Sequence, residues 1–255
     1  MANAESWQKI ADDHGLLGHD FGAAPFELSA EQIKKSVQDF EKTTEKEVRI
    51  LCKQDSRNHR PDIFKQNDLF ILPVKNGKYV IVQGDGYTDI PDIADAPIEY
   101  KTQLDFHLDS SEIGDSEMQH LDKAYASSII RTFMEDDDLV LTIRGRKYTP
   151  KFQFNAGGHQ INVEGVQTEV DAGYEGKDKI VLIEAKPANT KDTIIRQLYY
   201  PYRQWQAITK KKVYTLFFEY DKNNKTYNIW QFEFTDPDDY ASIKLVKSAR
   251  YIIVE

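Results

Sequence analysis

Apolar residues recur along this chain with two periods. From Ser29 the period is helical: Ile33, Val37 and Phe40 share one face, and Ser29 with Gln32 three residues on supplies a capping box. In "LFILPVKNGKYVIVQG" the pattern becomes that of strands, two apolar runs joined at Asn76-Gly77, residue types suited to the positive φ angles of a tight turn. Pro73 assigns the first run to a sheet edge or a bulge. Gly84 to Pro97, rich in Asp, Gly and Pro, predicts a connection, with a domain boundary near residue 100.

Further on, Met118, Leu121, Tyr125, Ile129 and Phe133 predict one long amphipathic helix capped by Asp115 or Ser116. "LVLTIRGRKY" alternates like a strand, and "KFQFNAGGHQINV" predicts a hairpin turning at Ala156 to Gly158. Then come a second hairpin within "EVDAGYEGKDKIVLIEAK", a helix over "TKDTIIRQLYYPYRQWQAIT" that Pro201 must kink or interrupt, and strands "KVYTLFFEY" and "TYNIWQFEF" around Asn223-Asn224. On that helix Ile194, Leu198, Tyr202 and Trp205 form the core face, and Gln197, Pro201 and Gln204 share another. The order predicts an α/β (α+β) fold: a mixed central sheet flanked by helices over residues 101–255, with a smaller N-terminal α+β region over residues 1–100.

Composition narrows the chemistry. Cys52 is the only cysteine, which excludes an internal disulfide and a cysteine-based zinc site, and the six histidines have no zinc-enzyme spacing. No apolar run is long enough for a membrane span and no leader pattern opens the chain, so a cytoplasmic protein with no membrane partner is expected. A net charge of −9 speaks against nucleic acid. Its distribution speaks the other way: Lys191, Arg196, Arg203, Lys210, Lys211 and Lys212 stand against the single acid Asp192, and "RGRK" adds a second basic segment, so a locally basic face is expected.

The second hairpin carries the candidate chemistry. With Lys177-Asp178 at its tip, Gly176 faces Lys179, Glu175 faces Ile180 and Asp171 faces Glu184. Period-two alternation puts Glu169 and Lys186 on the same side, and Ile183 and Ala185 on the other, towards the core. Two carboxylates that close raise each other's pKa unless a cation intervenes, and Mg²⁺ takes oxygen ligands from one or two carboxylates plus phosphate and water. A lysine beside them can orient or deprotonate an attacking water and stabilise charge on phosphorus. The same residues equally describe a cross-strand salt-bridge patch in which Lys186 pairs Glu169, and a one-residue slip of the turn would send the acids to opposite faces.

At these positions the sequence resembles the PD-(D/E)XK nuclease superfamily. Asp171 matches the first acid, Glu184-Ala185-Lys186 the acid-X-Lys element, and the helix that follows matches the expected topology; Val170 stands where the family has its proline. The pattern covers residues 114–234, and the context "GDSEMQHLDKAYASSII", "LTIRGRKY", "GVQTEVDAGYEGKDKIVLIEAK" and "IIRQLYYPYRQW" is similar to type II restriction endonucleases of that superfamily. The resemblance implies a restriction-endonuclease-like fold and Mg²⁺-dependent cleavage of double-stranded DNA at a specific sequence, leaving 5′-phosphate and 3′-hydroxyl ends. It also implies a homodimer on a palindromic site and a cognate DNA methyltransferase.

It further implies metal ligation by Asp171, Glu184 and Glu169 and catalytic roles for Asp171, Glu184, Lys186, Gln197 and Glu117, the last also readable as a solvated helix acid. Arg144, Arg146, Arg196 and Arg203 are candidate DNA contacts, and Lys53, Arg57 and Arg60 of the N-terminal region could join them. Two other readings stand beside this one: a DNA repair or structure-selective nuclease of the same fold, and a non-catalytic nucleic-acid-binding protein.

Overall fold

A computed structural model describes residues 3–114 and 116–254. Its first part contains helix α1 (Ala4–His14), strand β1 (Phe26–Ser29), helix α2 (Ala30–Ser36), the single-turn helices α3 (Thr43–Lys46) and α4 (Val48–Leu51), helix α5 (Asp62–Gln66) and the hairpin β2 (Leu69–Lys75) and β3 (Lys78–Gln83). The Ser29–Gln32 capping box forms at α2 as expected. β3 lies between β1 and β2, so Pro73 sits on an edge strand, beside a register shift at Pro73/Lys75. The unbroken apolar runs of this hairpin reflect burial on both faces. Leu69, Ile71 and Ile81 join Trp7, Ile33 and Phe64 in an N-terminal core, while Phe70, Leu72, Val80 and Val82 face the main core.

The rest contains β4 (Tyr87–Asp89), β5 (Ile98–Lys101), α6 (Glu117–Ala126), α7 (Ile129–Met134), β6 (Val140–Tyr148), β7 (Phe152–Ala156), β8 (His159–Val163), β9 (Gln167–Glu175), β10 (Lys179–Pro187), β11 (Asp192–Ile194), α8 (Arg196–Ile208), β12 (Lys212–Asp221), β13 (Thr226–Phe234) and β14 (Ile243–Val254). Seven strands form one mixed sheet in the order β5-β14-β13-β12-β10-β9-β6, with β10/β12 and β14/β5 parallel and the other pairs antiparallel. Alternation assigns its faces. Val181, Ile183, Ala185, Leu216 and Phe218 pack with Leu121, Ile130 and Phe133 of α6 and α7. Ile180, Leu182, Phe217 and Trp230 pack with Leu198, Tyr199 and Tyr200 of α8. The protein is therefore α+β, a large mixed sheet flanked by helices. No helix among the described residues is long and apolar enough to cross a membrane.

Several local expectations are corrected. The long helix is two helices, broken where Ser128 adopts a left-handed φ of 65°. Ser116 caps the first by accepting from the Gln119 amide; the alternative cap, Asp115, lies outside the described residues. Met118, expected on the core face, is exposed. The helix expected from Thr190 begins only at Arg196, because Asp192–Ile194 pairs with β4 as a short strand. Pro201 does not interrupt α8, which runs on to Ile208. Proline removes the helix bond to the Gln197 carbonyl, and the buried Leu198, Tyr199, Tyr200 and Tyr202 hold the turn in place. Gln204, off the expected core face, is also buried: its side-chain oxygen accepts from the Thr168 hydroxyl and its amide donates to the Tyr148 carbonyl.

Candidate active site

The β9–β10 register follows the tip at Lys177-Asp178. Ile180 opposes Glu175, Val181 opposes Tyr174, Leu182 opposes Gly173 and Ile183 opposes Ala172. There the ladder ends. The Asp171 side chain enters the space between the strands and accepts a hydrogen bond from the Ala185 amide at 2.8 Å. A backbone donor that would otherwise pair across the ladder thus holds a carboxylate beside Glu184.

Glu184 lies on the α8 side of the sheet, 8% exposed, and its Oε1 accepts from the Lys186 ammonium. Burial pushes the Glu184 carboxyl up to about 7, the Asp171 charge adds to this, and Lys186 opposes it. Burial also raises the Asp171 pKa, against the Ala185 hydrogen bond and the Lys186 charge. For Lys186, burial acts downward but is outweighed by Glu184, Asp55 and Asp171, so its pKa is raised and it stays an ammonium.

A gap of about 10 Å³, the threshold for one water, separates β9, β10 and α8; Glu169, Glu184, Gln197 and Pro201 line it. Gln197 is oriented there by the Thr193 hydroxyl, which donates to its Oε1 at 2.9 Å. Glu117, at the first turn of α6, is raised in pKa by burial and by Asp171, and feels the charges of Lys186 and Lys53. The fold thus brings Asp171, Glu184, Lys186, Gln197 and Glu117 to one end of the sheet.

Glu169 is placed differently. It lines the gap, but its carboxylate is over half exposed and pairs with Arg146 at 3.3 Å, the residue opposite it on β6. Among the described residues no three His, Cys, Asp or Glu side chains are grouped to hold a metal. Asp171 and Glu184 are the two carboxylates here that could face a common divalent cation, and an ion held by them would need waters or phosphate oxygens to complete its shell.

The candidate DNA contacts separate. Shifts in the β6/β9 register and a left-handed Gly145 (φ 78°) send Arg144 and Arg146 to different partners. Arg144 reaches Asp122 and Met118 of α6, and its charge acts on Asp171. Arg196, at the start of α8, lies 3.9 Å from Asp55. Arg203 sits seven residues further along α8, paired with Asp238 at 3.0 Å and away from the acids. The basic run is largely neutralised, since Lys191 meets Asp92 and Lys211 meets Glu175. Of the three N-terminal candidates, Arg57 is held by Asp85 and Asp89, Arg60 is buried against the Tyr87 ring, and Lys53 is largely exposed, 3.4 Å from Asp55.

Two site neighbours were missed by the sequence reading as site members: Asp55, whose charge acts on Glu184 and Lys186, and Lys53 as a neighbour of Glu117. Their loop is stitched to β11, the Ile194 amide donating to the Asp55 carbonyl at 2.9 Å and the Arg57 amide to Asp192 at 2.6 Å. Nothing local in "CKQDSRN" announces this; the contact joins segments some 135 residues apart.

The chain belongs to the family described as a domain of unknown function, DUF6997, which matches residues 82–252. A second family, described as a domain of unknown function, DUF6996, matches residues 4–81. No curated protein and no solved structure matches the chain.

Proposed function

We propose that this chain is a Mg²⁺-dependent type II restriction endonuclease with a restriction-endonuclease-like fold, hydrolysing phosphodiester bonds at a specific sequence in double-stranded DNA. The observation that carries the reading is the Asp171 carboxylate held by the Ala185 amide where β9 and β10 part, beside the Glu184–Lys186 pair. An acid on one strand and acid-X-Lys on the next, on a mixed sheet with helices on both faces, is the arrangement the resemblance implies.

Asp171 and Glu184 would hold the metal. Bound there, Mg²⁺ would supply charge neutralisation at the phosphate and a more acidic water. Lys186 keeps its ammonium at Glu184 Oε1, within reach of a phosphate oxygen or water brought to the acids. Gln197 lines the gap behind Glu184 with its amide group turned by Thr193, and Glu117 adds an acid that can accept a proton or orient water. A palindromic target implies a homodimer, and self-protection implies a partner methyltransferase acting in the cytoplasm.

Incubation of the purified protein with phage DNA and Mg²⁺ tests this: discrete fragments are expected. A smear, or preference for branched DNA, would favour the repair or structure-selective nuclease. One observation favours a second reading, a non-catalytic nucleic-acid-binding protein: Glu184 and Glu169 already have cationic partners in Lys186 and Arg146. Intact phage DNA across Mg²⁺ and Mn²⁺ would support that reading over the first.

A further inference from the structure

Where β9 and β10 part, the end of β10 keeps a single strand neighbour. Its ladder with β9 stops at Ile183 opposite Ala172, while its parallel ladder with β12 runs on through Glu184, Ala185, Lys186 and Pro187. Lys186 therefore projects from a strand end held on one side, and a turn follows it at once. In that turn Asn189 takes a left-handed φ of 69°, and the Thr190 hydroxyl donates to the Pro187 carbonyl at 2.8 Å.

Glu219 closes this end. It stands on β12 opposite Lys186 and projects to the same side of the sheet. Its Oε2 accepts from the Asn189 amide at 3.2 Å and its Oε1 from the Thr190 amide at 2.9 Å, so one carboxylate spans two successive amides of the turn. Glu219 is 3% exposed and forms no ion pair among the described residues. Arg250, two strands away, donates instead to Asn228, the residue opposite Glu219 on β13, at 3.0 Å. Burial pushes the Glu219 carboxyl up to about 7, against the pull of the two amide bonds. A buried carboxylate without a cation is costly, and glutamine would fill the same space with no charge to desolvate. Only a carboxylate, however, offers an acceptor to both amides, because the second terminal atom of glutamine is a donor. The Lys186 ammonium meanwhile reaches Glu184 on its own strand.

We propose that Glu219 is a positioning residue acting through Lys186: by clamping the turn after β10 to β12, it fixes where the Lys186 ammonium stands beside Glu184. The inference rests on the reading of Lys186 as a site residue and adds to it a buried group that meets neither metal nor DNA.

NMR of the full chain at pH 8, where Glu219 is ionised, tests it with two variants. Glu219→Gln keeps the shape but loses the charge and one acceptor; Glu219→Asp keeps the charge but is one methylene too short to span both amides. Both should retain the wild-type circular dichroism spectrum. In each, hydrogen exchange at one or both of the Asn189 and Thr190 amides should accelerate at least about tenfold, and the order parameter of the Lys186 Cε should fall. Plasmid cleavage should show kcat at least about tenfold lower with KM unchanged. A wild type that does not cut DNA would remove the nuclease reading, and the Lys186 order parameter would still decide the clamp. Unchanged amide exchange, a Lys186 as rigid as in the wild type in both variants, or wild-type behaviour of Glu219→Asp, which would mean that charge alone suffices, would overturn the proposal.

Discussion

At the tip of the β9–β10 hairpin, Glu175 meets Lys211, Lys179 meets Asp136 at 3.1 Å, and the Gly176 amide donates to the Lys179 carbonyl at 2.9 Å. At the other end, Asp171, Glu184 and Lys186 come together where the ladder stops, and burial raises the pKa of both acids. The residue types are the same. At the tip the strands remain paired and Glu175 is 40% exposed, so its ion pair costs and contributes little. At the open end two acids share one lysine at reduced solvation, an arrangement that opposes stability and is retained at functional sites.

The largest expected contrast is in activity. Asp171→Ala and Glu184→Ala should each lower Mg²⁺-dependent plasmid cleavage by at least about 10³-fold with an unchanged circular dichroism spectrum. Glu175→Ala at the tip should cut as the wild type does. Loss of cleavage in all three variants would erase the distinction between the two ends.

The next contrast is in pH dependence. The Glu184 pKa rises from an ordinary 4.5 to about 7 in the fold, so the neutral form favours folding. That contribution is complete below about pH 4.5 and is lost as pH rises through about 7. Glu184→Gln should therefore flatten the decline in stability across this window by about 3 kcal/mol, measured by urea denaturation. Glu175→Gln should leave the decline as it is.

Between the two ends, Gly173 packs against Ile143, and an added Cβ would lie 2.7 Å from the Ile143 Cβ. Gly173→Ala should cost about 1–3 kcal/mol and shift the register that presents Asp171, so cleavage should fall along with stability. The smallest effect belongs to the tip: Glu175→Ala or Lys211→Ala should change stability by less than about 1 kcal/mol.

Much of this geometry was legible in the sequence because it is local. Asn76-Gly77, the Ser29–Gln32 box and the β9–β10 register down to Ala172 each depend on residues close in the chain. The break at Ser128 left no trace, since a serine takes the left-handed conformation there and the apolar spacing from Leu121 to Phe133 continues through it. β14 was not anticipated; "IKLVKSARYIIV" is mostly half-exposed, and its pairing with β13 and β5 is what makes it a strand. Counting charge along the chain suggested a basic face that the fold largely neutralises, because Asp92, Asp55 and Asp238 arrive from other segments. The same blindness to long-range partners hid Asp55 and gave Glu169 a ligand role, when Arg146 stands opposite it.

The most direct measurement is calorimetric titration of the full chain with Mn²⁺ at pH 8, where Glu184 is ionised. Saturable binding by the wild type and by Glu175→Ala, lost in both Asp171→Asn and Glu184→Gln, is the predicted result. Equal binding in all four proteins, or in none, would contradict a divalent-cation site between Asp171 and Glu184.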